Sequence, residues 1–165
     1  RRLFIVAVRN DLDIKWEYPT ETTVDNPPTV KQALDLLDYE GINNPSVDID
    51  NQPMNHRAST VEKFKKVKAG VKQEGSYFSR GTSSRLSNDK PAPTLVPGHS
   101  SFQIHPSEHR SITVREGGII TGFDKDFKFY GSHSSRCMQI GNAIPVNMAN
   151  NLAKQCKKYL EKIKK

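Results

Sequence analysis

Cysteine is almost missing from this chain, with only Cys137 and Cys156 among 165 residues. Two cysteines cannot build a disulfide framework, and a reducing, cytoplasmic setting is expected. Long apolar runs are missing as well. The longest, Leu3 to Val8, falls far short of the ~20 residues that cross a bilayer and is too brief for a signal h-region, so no membrane association is expected. The five histidines supply a single His-x-x-x-His pair, His105 and His109, with no cysteine or carboxylate set at ligand spacing, so no metal site is expected. The absence of a Gly-x-x-x-x-Gly-Lys loop excludes P-loop nucleotide hydrolysis. An initiating methionine is also lacking. The chain opens on Arg1-Arg2, and its natural start is expected upstream.

With 35% hydrophobic and 26% charged residues, the chain has the composition of a folded protein, and its length allows one domain or one domain plus part of a second. The net charge of +7 is segregated along it. Residues 11–50 hold ten acidic and two basic side chains, whereas 55–90 hold nine Lys/Arg against three Asp/Glu. The last fifteen residues add six lysines against one glutamate. A central basic stretch suits a surface that tracks phosphates, the alternative being lysines that only solvate a helix face. Solvation is the expectation for the terminal lysines.

Leu3-Phe4-Ile5-Val6-Ala7-Val8 reads as a strand buried on both faces, a piece of a larger α/β domain. Three capping boxes follow. Thr29-Val30-Lys31-Gln32 opens a helix with Val30, Ala33, Leu34 and Leu37 on one face and Gly41 as its stop. Ser59-Thr60-Val61-Glu62 opens a second, with Phe64 and Val67 inward and Lys63, Lys65, Lys66 and Lys68 outward. Thr113-Val114-Arg115-Glu116 opens a third, expected to break early at Gly117-Gly118. Residues 70–101 are rich in Gly, Ser, Pro and Arg and read as binding loops. A final helix starts near Pro145 with Met148, Leu152, Cys156, Tyr159 and Ile163 as its apolar stripe.

The most specific text lies late in the chain. His105-Pro106 precedes Arg110-Ser111-Ile112-Thr113-Val114-Arg115-Glu116, then comes Gly122 to Gly131, then Gln139-Ile140-Gly141-Asn142-Ala143-Ile144-Pro145. In order and spacing these resemble the closing blocks of the DNA cytosine-5 methyltransferases. The resemblance spans residues 1 to 165, with its motifs concentrated after residue 85. It implies an α/β fold: a mixed α+β target-recognition domain plus a strand and C-terminal helix of a Rossmann-like, S-adenosylmethionine-dependent methyltransferase domain. The implied boundaries are 1–12 for the strand, 13–134 for the recognition domain and 135–165 for the closing segment.

Chemistry at carbon 5 of cytosine needs a thiolate to add at carbon 6 and a base flipped out of the duplex. The family's Pro-Cys pair, its Phe-x-Gly-x-Gly cofactor loop and its Glu-Asn-Val triplet are not in this sequence. Cys137 follows Arg136, Cys156 follows Gln155, and both are expected to be structural. The resemblance therefore implies a catalytically incomplete portion of a bacterial-type, restriction-modification enzyme. Its expected partners are double-stranded DNA and an N-terminal catalytic portion or subunit.

Arg2 matches the last arginine of the family's Gln-x-Arg-x-Arg block, which contacts the target cytosine. Arg110, Thr113, Arg115 and Glu116 match the block that organises the recognition region. Gln139, Gly141, Asn142 and Ala143 match the final block, with Asn142 and Ala143 beside the cofactor. Three departures stand out: Gly117 to Thr121 replaces Ala-Ala-Arg-Leu-Gln, Phe123-Asp124-Lys125 replaces Phe-Pro-Asp, and Val146 replaces a proline. Arg80 and Arg85, in a segment that interleaves arginines with Tyr77 and Phe78, are expected to read guanine. Thr94 and Leu95 resemble the pair that closes the recognition segment, and Arg57, Lys65 and Lys68 are expected on phosphates. A DNA-binding module without methylation, an RNA-methylating relative, and the small subunit of a split enzyme are the alternatives.

Overall fold

The computed structural model describes residues 3–12, 14–37, 41–71, 84–96 and 102–163. Within them lie helices α1 (Val30–Leu34), α2 (Ala58–Lys66), α3 (Val114–Thr121), α4 (His133–Asn142) and α5 (Val146–Ile163), with a 3-10 turn at Ile49–Asn51. Strand pairing among the described residues is limited to three isolated bridges: Ala69 with Arg85, Arg85 with Ile104, and Ile104 with Ser111.

The architecture forms around α3, which packs on α4, α1 and the 3-10 turn. Both halves of the Thr29–Gln32 capping box form at α1, and its first free N–H groups find further acceptors. Val30 N donates to Lys90 O at 3.0 Å and Lys31 N to Asn88 O at 3.1 Å. Burial of Val30 and Leu34 follows the expected face, with Leu37 partly covered. The helix does not run to Gly41. It tightens after Leu34 through the short-range bonds Leu36 N to Ala33 O and Leu37 N to Leu34 O.

Helix α2 corrects a second expectation. It begins at Ala58, so Ser59 is already helical and its box does not form. Glu62 pairs with Lys65 at 2.6 Å instead. Phe64 and Val67 turn inward as expected and join Ile104 in a small core of their own.

The glycine pair in α3 does not break the helix, which runs to Thr121. A Cβ on Gly117 would lie 3.2 Å from Phe102 Cε2, and one on Gly118 would lie 3.1 Å from Phe129 Cε2. Missing side chains therefore seat α3 against two buried rings, offsetting a helix penalty of about 0.5–1 kcal/mol per glycine. Gly122, at φ 92°, ends the helix in the left-handed conformation. The main core gathers Leu86, Leu95, Phe102, Ile112, Val114, Phe129, Cys137 and Ile140 around this helix.

The two ends are open. Leu3–Val8 has no ladder partner among the described residues, and Leu3 and Ile5 are 85% and 83% exposed. The expected α/β arrangement with a buried strand is therefore corrected: this portion is helical with a few bridged, extended segments. A strand needs neighbours to bond its backbone, and the described residues supply none. Helix α5 starts where expected, but of its apolar stripe only Tyr159 is buried. Trp16 stacks on Tyr159 at 4.9 Å, and Tyr159 Oη accepts from Glu17 N at 3.0 Å, which ties the segment before α1 to α5.

Candidate functional site

Two arginine frames hold the late blocks in place. Arg110, buried on the chain that enters α3, makes a two-pronged pair with Glu116, Nη1 to Oε2 at 2.7 Å and Nη2 to Oε1 at 2.8 Å. A second pair joins it to Glu108 at 2.7 Å. Burial opposes the Arg110 charge, but the bonds to Glu116 and Glu108 outweigh it and raise the pKa. Glu116 also accepts from Thr113 N at 2.7 Å, so the capping box and the ion pair share one carboxylate. Arg115 forms the second frame, bonding Asp48 through Nε at 2.7 Å and Nη2 at 3.1 Å. Burial opposes ionisation of Asp48, yet Arg115 prevails and holds its carboxyl below the usual range. Arg136 completes this frame by donating to Asp50 at 2.6 Å.

Arg85 corrects the sequence expectation that it reads a base. Its side chain is buried, and its guanidinium donates to Val67 O at 2.9 Å, Phe64 O at 2.7 Å and His105 O at 2.6 Å. Glu108 O and His109 Nδ1 take the remaining bonds. Every prong of the fork is committed to the fold, so none faces a groove. The signal was there in Leu86, whose apolar neighbourhood marks a bridge between segments rather than an exposed loop.

Leu95 is corrected in the same way, since its side chain joins the main core. Thr94 is exposed beside it. Arg57, Lys65 and Lys68 are all exposed, with Lys63 and Lys66, along and beyond α2. Arg2 and Arg80 lie outside the described residues, as does His99.

The final block sits against the recognition segment's end. A cavity of about 220 Å³ is lined by Pro93, Thr94 and Leu95 on one side and by Ile140, Gly141, Ala143 and Pro145 on the other. Asn142 is exposed, Ala143 half-buried, and Gln139 donates to Tyr130 O at 2.7 Å. This cavity falls below the ~300–1,000 Å³ typical of a cofactor pocket. These residues fit one edge of S-adenosylmethionine, with the Asn142 amide as the polar group. Cys137 is buried in α4 with its thiol pushed up to about 11, first by burial, which suits packing and not nucleophilic attack. Cys156 is exposed on α5.

Sequence reasoning missed two buried polar residues. His56 Nε2 lies 2.9 Å from Ser111 Oγ and accepts from Ser111 N at 3.3 Å, with burial lowering its pKa. Gln103 donates to Thr94 O at 3.0 Å while its Oε1 has no partner. Neither carries a motif, and only the fold shows their surroundings.

A sequence model of the family described as C-5 cytosine-specific DNA methylase matches residues 1–158. The chain is 32% identical over 182 residues to the type II methyltransferase M.Eco47II of Escherichia coli, covering 99% of this chain and 43% of that protein. It is 29% identical to M.NgoPII of Neisseria gonorrhoeae, covering 98% of the chain and 51% of the relative. Against M.AquIB of Picosynechococcus the identity is 37%, over 64% of this chain but 84% of that protein. The chain thus spans about half the length of most of these relatives. Among solved structures, an E. coli chain described as a prophage-encoded DNA modification methyltransferase is similar in fold, with TM-score 0.54 and 21% identity over 91% of this chain and 44% of its own.

Proposed function

The chain belongs to the C-5 cytosine-specific DNA methylase family, and from that premise we propose that it is the C-terminal portion of a DNA cytosine-5 methyltransferase. In this reading residues 13–134 form the target-recognition domain, while 1–12 and 135–165 complete a catalytic domain whose other part lies in upstream sequence or a second chain. The observation that carries it is where apolar surface stays uncovered. Leu3 and Ile5 at one end, and Met148, Leu160 and Ile163 on α5 at the other, are exposed, while the middle closes around α3. Those ends are the segments assigned to the catalytic domain, and a contiguous apolar face of this kind marks an interface.

S-adenosylmethionine, when bound, supplies the methyl group. This chain's contribution is to close the cofactor's edge with Asn142 and Ala143, to bring Arg2 to the flipped cytosine, and to hold duplex DNA. Arg57, Lys65 and Lys68 neutralise phosphates, Thr94 stands at the close of the recognition segment, and Arg80 reads a base. The framework residues Arg110, Thr113, Arg115, Glu116, Gln139 and Gly141 hold these groups in register.

A second arrangement has its own observation. The chain covers 84% of M.AquIB, so a relative of similar extent exists as one short chain. This favours a split enzyme in which the present chain is the small subunit. Methyl transfer from labelled S-adenosylmethionine to duplex DNA tests both arrangements. The purified chain should transfer nothing, and adding the part that carries the Pro-Cys should restore activity. Transfer by the chain alone would overturn the assignment, and so would restored assembly without methylation, which points to a DNA-binding module.

A further inference from the structure

A second cavity, of about 440 Å³, lies on the opposite side of Thr94 from the final block and has no role so far. Val71, Ser84, Lys90, Thr94, Val96 and Gln103 line it. In sequence, Val71 and Ser84 flank 72–83, and Val96 and Gln103 lie on either side of 97–101. The cavity therefore stands where the basic, aromatic-bearing text leaves and rejoins the folded body. Its floor is firmly held. The backbone of Asn88 and Lys90 bonds the start of α1, and Leu86 N donates to Ile104 O at 3.0 Å.

Gln103 is the unexplained group. It is 2% exposed, and its amide orientation is fixed because Nε2 donates to Thr94 O at 3.0 Å. That leaves Oε1, a pure acceptor, without a partner. Buried acceptors are paired in the great majority of cases, and an exception calls for a donor from elsewhere. Lys90 is exposed at the rim, its Nζ 3.9 Å from where a Cβ on Gly70 would stand. One cavity thus offers a cation for a phosphate and an oriented acceptor for a base.

We propose that Gln103 is a specificity-determining residue whose Oε1 accepts a hydrogen bond from an exocyclic amino group of a base in the recognition site, with Lys90 on the neighbouring phosphate. In the major groove only adenine N6 and cytosine N4 present such donors, while guanine and thymine present acceptors there. The assignment rests on the reading of this chain as the DNA-recognition portion.

The test uses the complete enzyme. Its recognition site is first mapped by sequencing methylated cytosines in cells that express it. Duplexes are then made that lack one amino group at a time, purine for adenine or pyrimidin-2-one for cytosine, at every position except the methylated cytosine. For the wild type, kcat/KM should fall about 5- to 150-fold on one such duplex. Gln103→Leu should lose a similar factor on the parent duplex and be indifferent to that deletion. If Gln103→Leu does not fold, Gln103→Asn, which withdraws the oxygen by one methylene, carries the same comparison. A variant that slows all duplexes alike, with sensitivity to the deletion intact, overturns the proposal and leaves Gln103 as a brace for Thr94. A wild-type enzyme that methylates no cytosine would sink the functional reading itself.

Discussion

The four buried arginines, Arg85, Arg110, Arg115 and Arg136, and the lysines of the same chain live in opposite environments. Each buried arginine is tied to carbonyls or carboxylates, whereas every described lysine is exposed. The difference follows from the head groups. A guanidinium is weakly hydrated and presents a rigid fork that several acceptors can satisfy at once, whereas an ammonium is compact and strongly hydrated. A basic composition therefore overstates the charge available to a ligand. Here much of the arginine is internal scaffolding, and the surface field comes from lysine.

The largest effects should come from breaking the buried side of this division. Arg110→Ala strands the Glu116 carboxylate, which is fully buried, and should destabilise the chain by about 3–5 kcal/mol in urea unfolding. Arg110→Lys should rescue only part of that, because one ammonium cannot meet the two oxygens of Glu116 and those of Glu108. Full rescue by lysine would mean that charge alone matters there and that the fork geometry does not. Arg85→Met should also destabilise the chain, by leaving three or four buried carbonyls short of donors, at about 1–3 kcal/mol for each group left unpaired. Its effect on DNA site choice should be nil once stability is restored.

An intermediate effect is expected from pH. His105 is buried, its Nδ1 accepts from Ser107 N at 3.2 Å and Glu108 N at 3.1 Å, and its Nε2 lies 3.7 Å from Glu116. Burial outweighs attraction to Glu116, and the His105 pKa falls below its ordinary value. His56 is shifted the same way by burial. A histidine with a lowered folded pKa binds its proton more readily when unfolded. Its contribution is therefore complete above the ordinary value near 6.5 and is lost as pH falls from there toward the folded value. Unfolding free energy should rise between about pH 5 and 7, and the rise should be shallower in His105→Gln. An unchanged slope in that variant would remove His105 from the account.

How far the sequence could be read follows the same physics. Local, periodic signals were legible: the boxes at Thr29 and Thr113, the inward Phe64 and Val67, and the start of α5. So were the late blocks, whose family the comparisons support. Tertiary decisions were not. Gly117 and Gly118 read as a break because the rings of Phe102 and Phe129 that require them lie elsewhere in the sequence. Arg85 read as a base contact because its acceptors, Phe64, Val67 and His105, are 18 to 21 residues away. Gln103 could not be singled out at all, since an unpaired oxygen exists only in three dimensions.

The smallest effect belongs to the exposed side of the comparison, and it sharpens what that side is for. Lys65 pairs with Glu62 at 2.6 Å, but both side chains are about half-exposed or more, so the pair should add only about 0.3–0.5 kcal/mol to stability. Lys65→Ala should accordingly leave unfolding nearly unchanged. In duplex binding the same change should have a distinct signature. If α2 and its surroundings neutralise about four phosphates, log K against log salt should slope near −3 to −4, and loss of one contact should reduce that slope by about one for every DNA sequence. Arg57→Ala and Lys68→Ala should each do the same. Fluorescence anisotropy over a salt series, on two unrelated duplexes, separates the possibilities. A slope that stays constant in all three variants would make this lysine face a solvating surface and move the phosphate contacts elsewhere on the molecule.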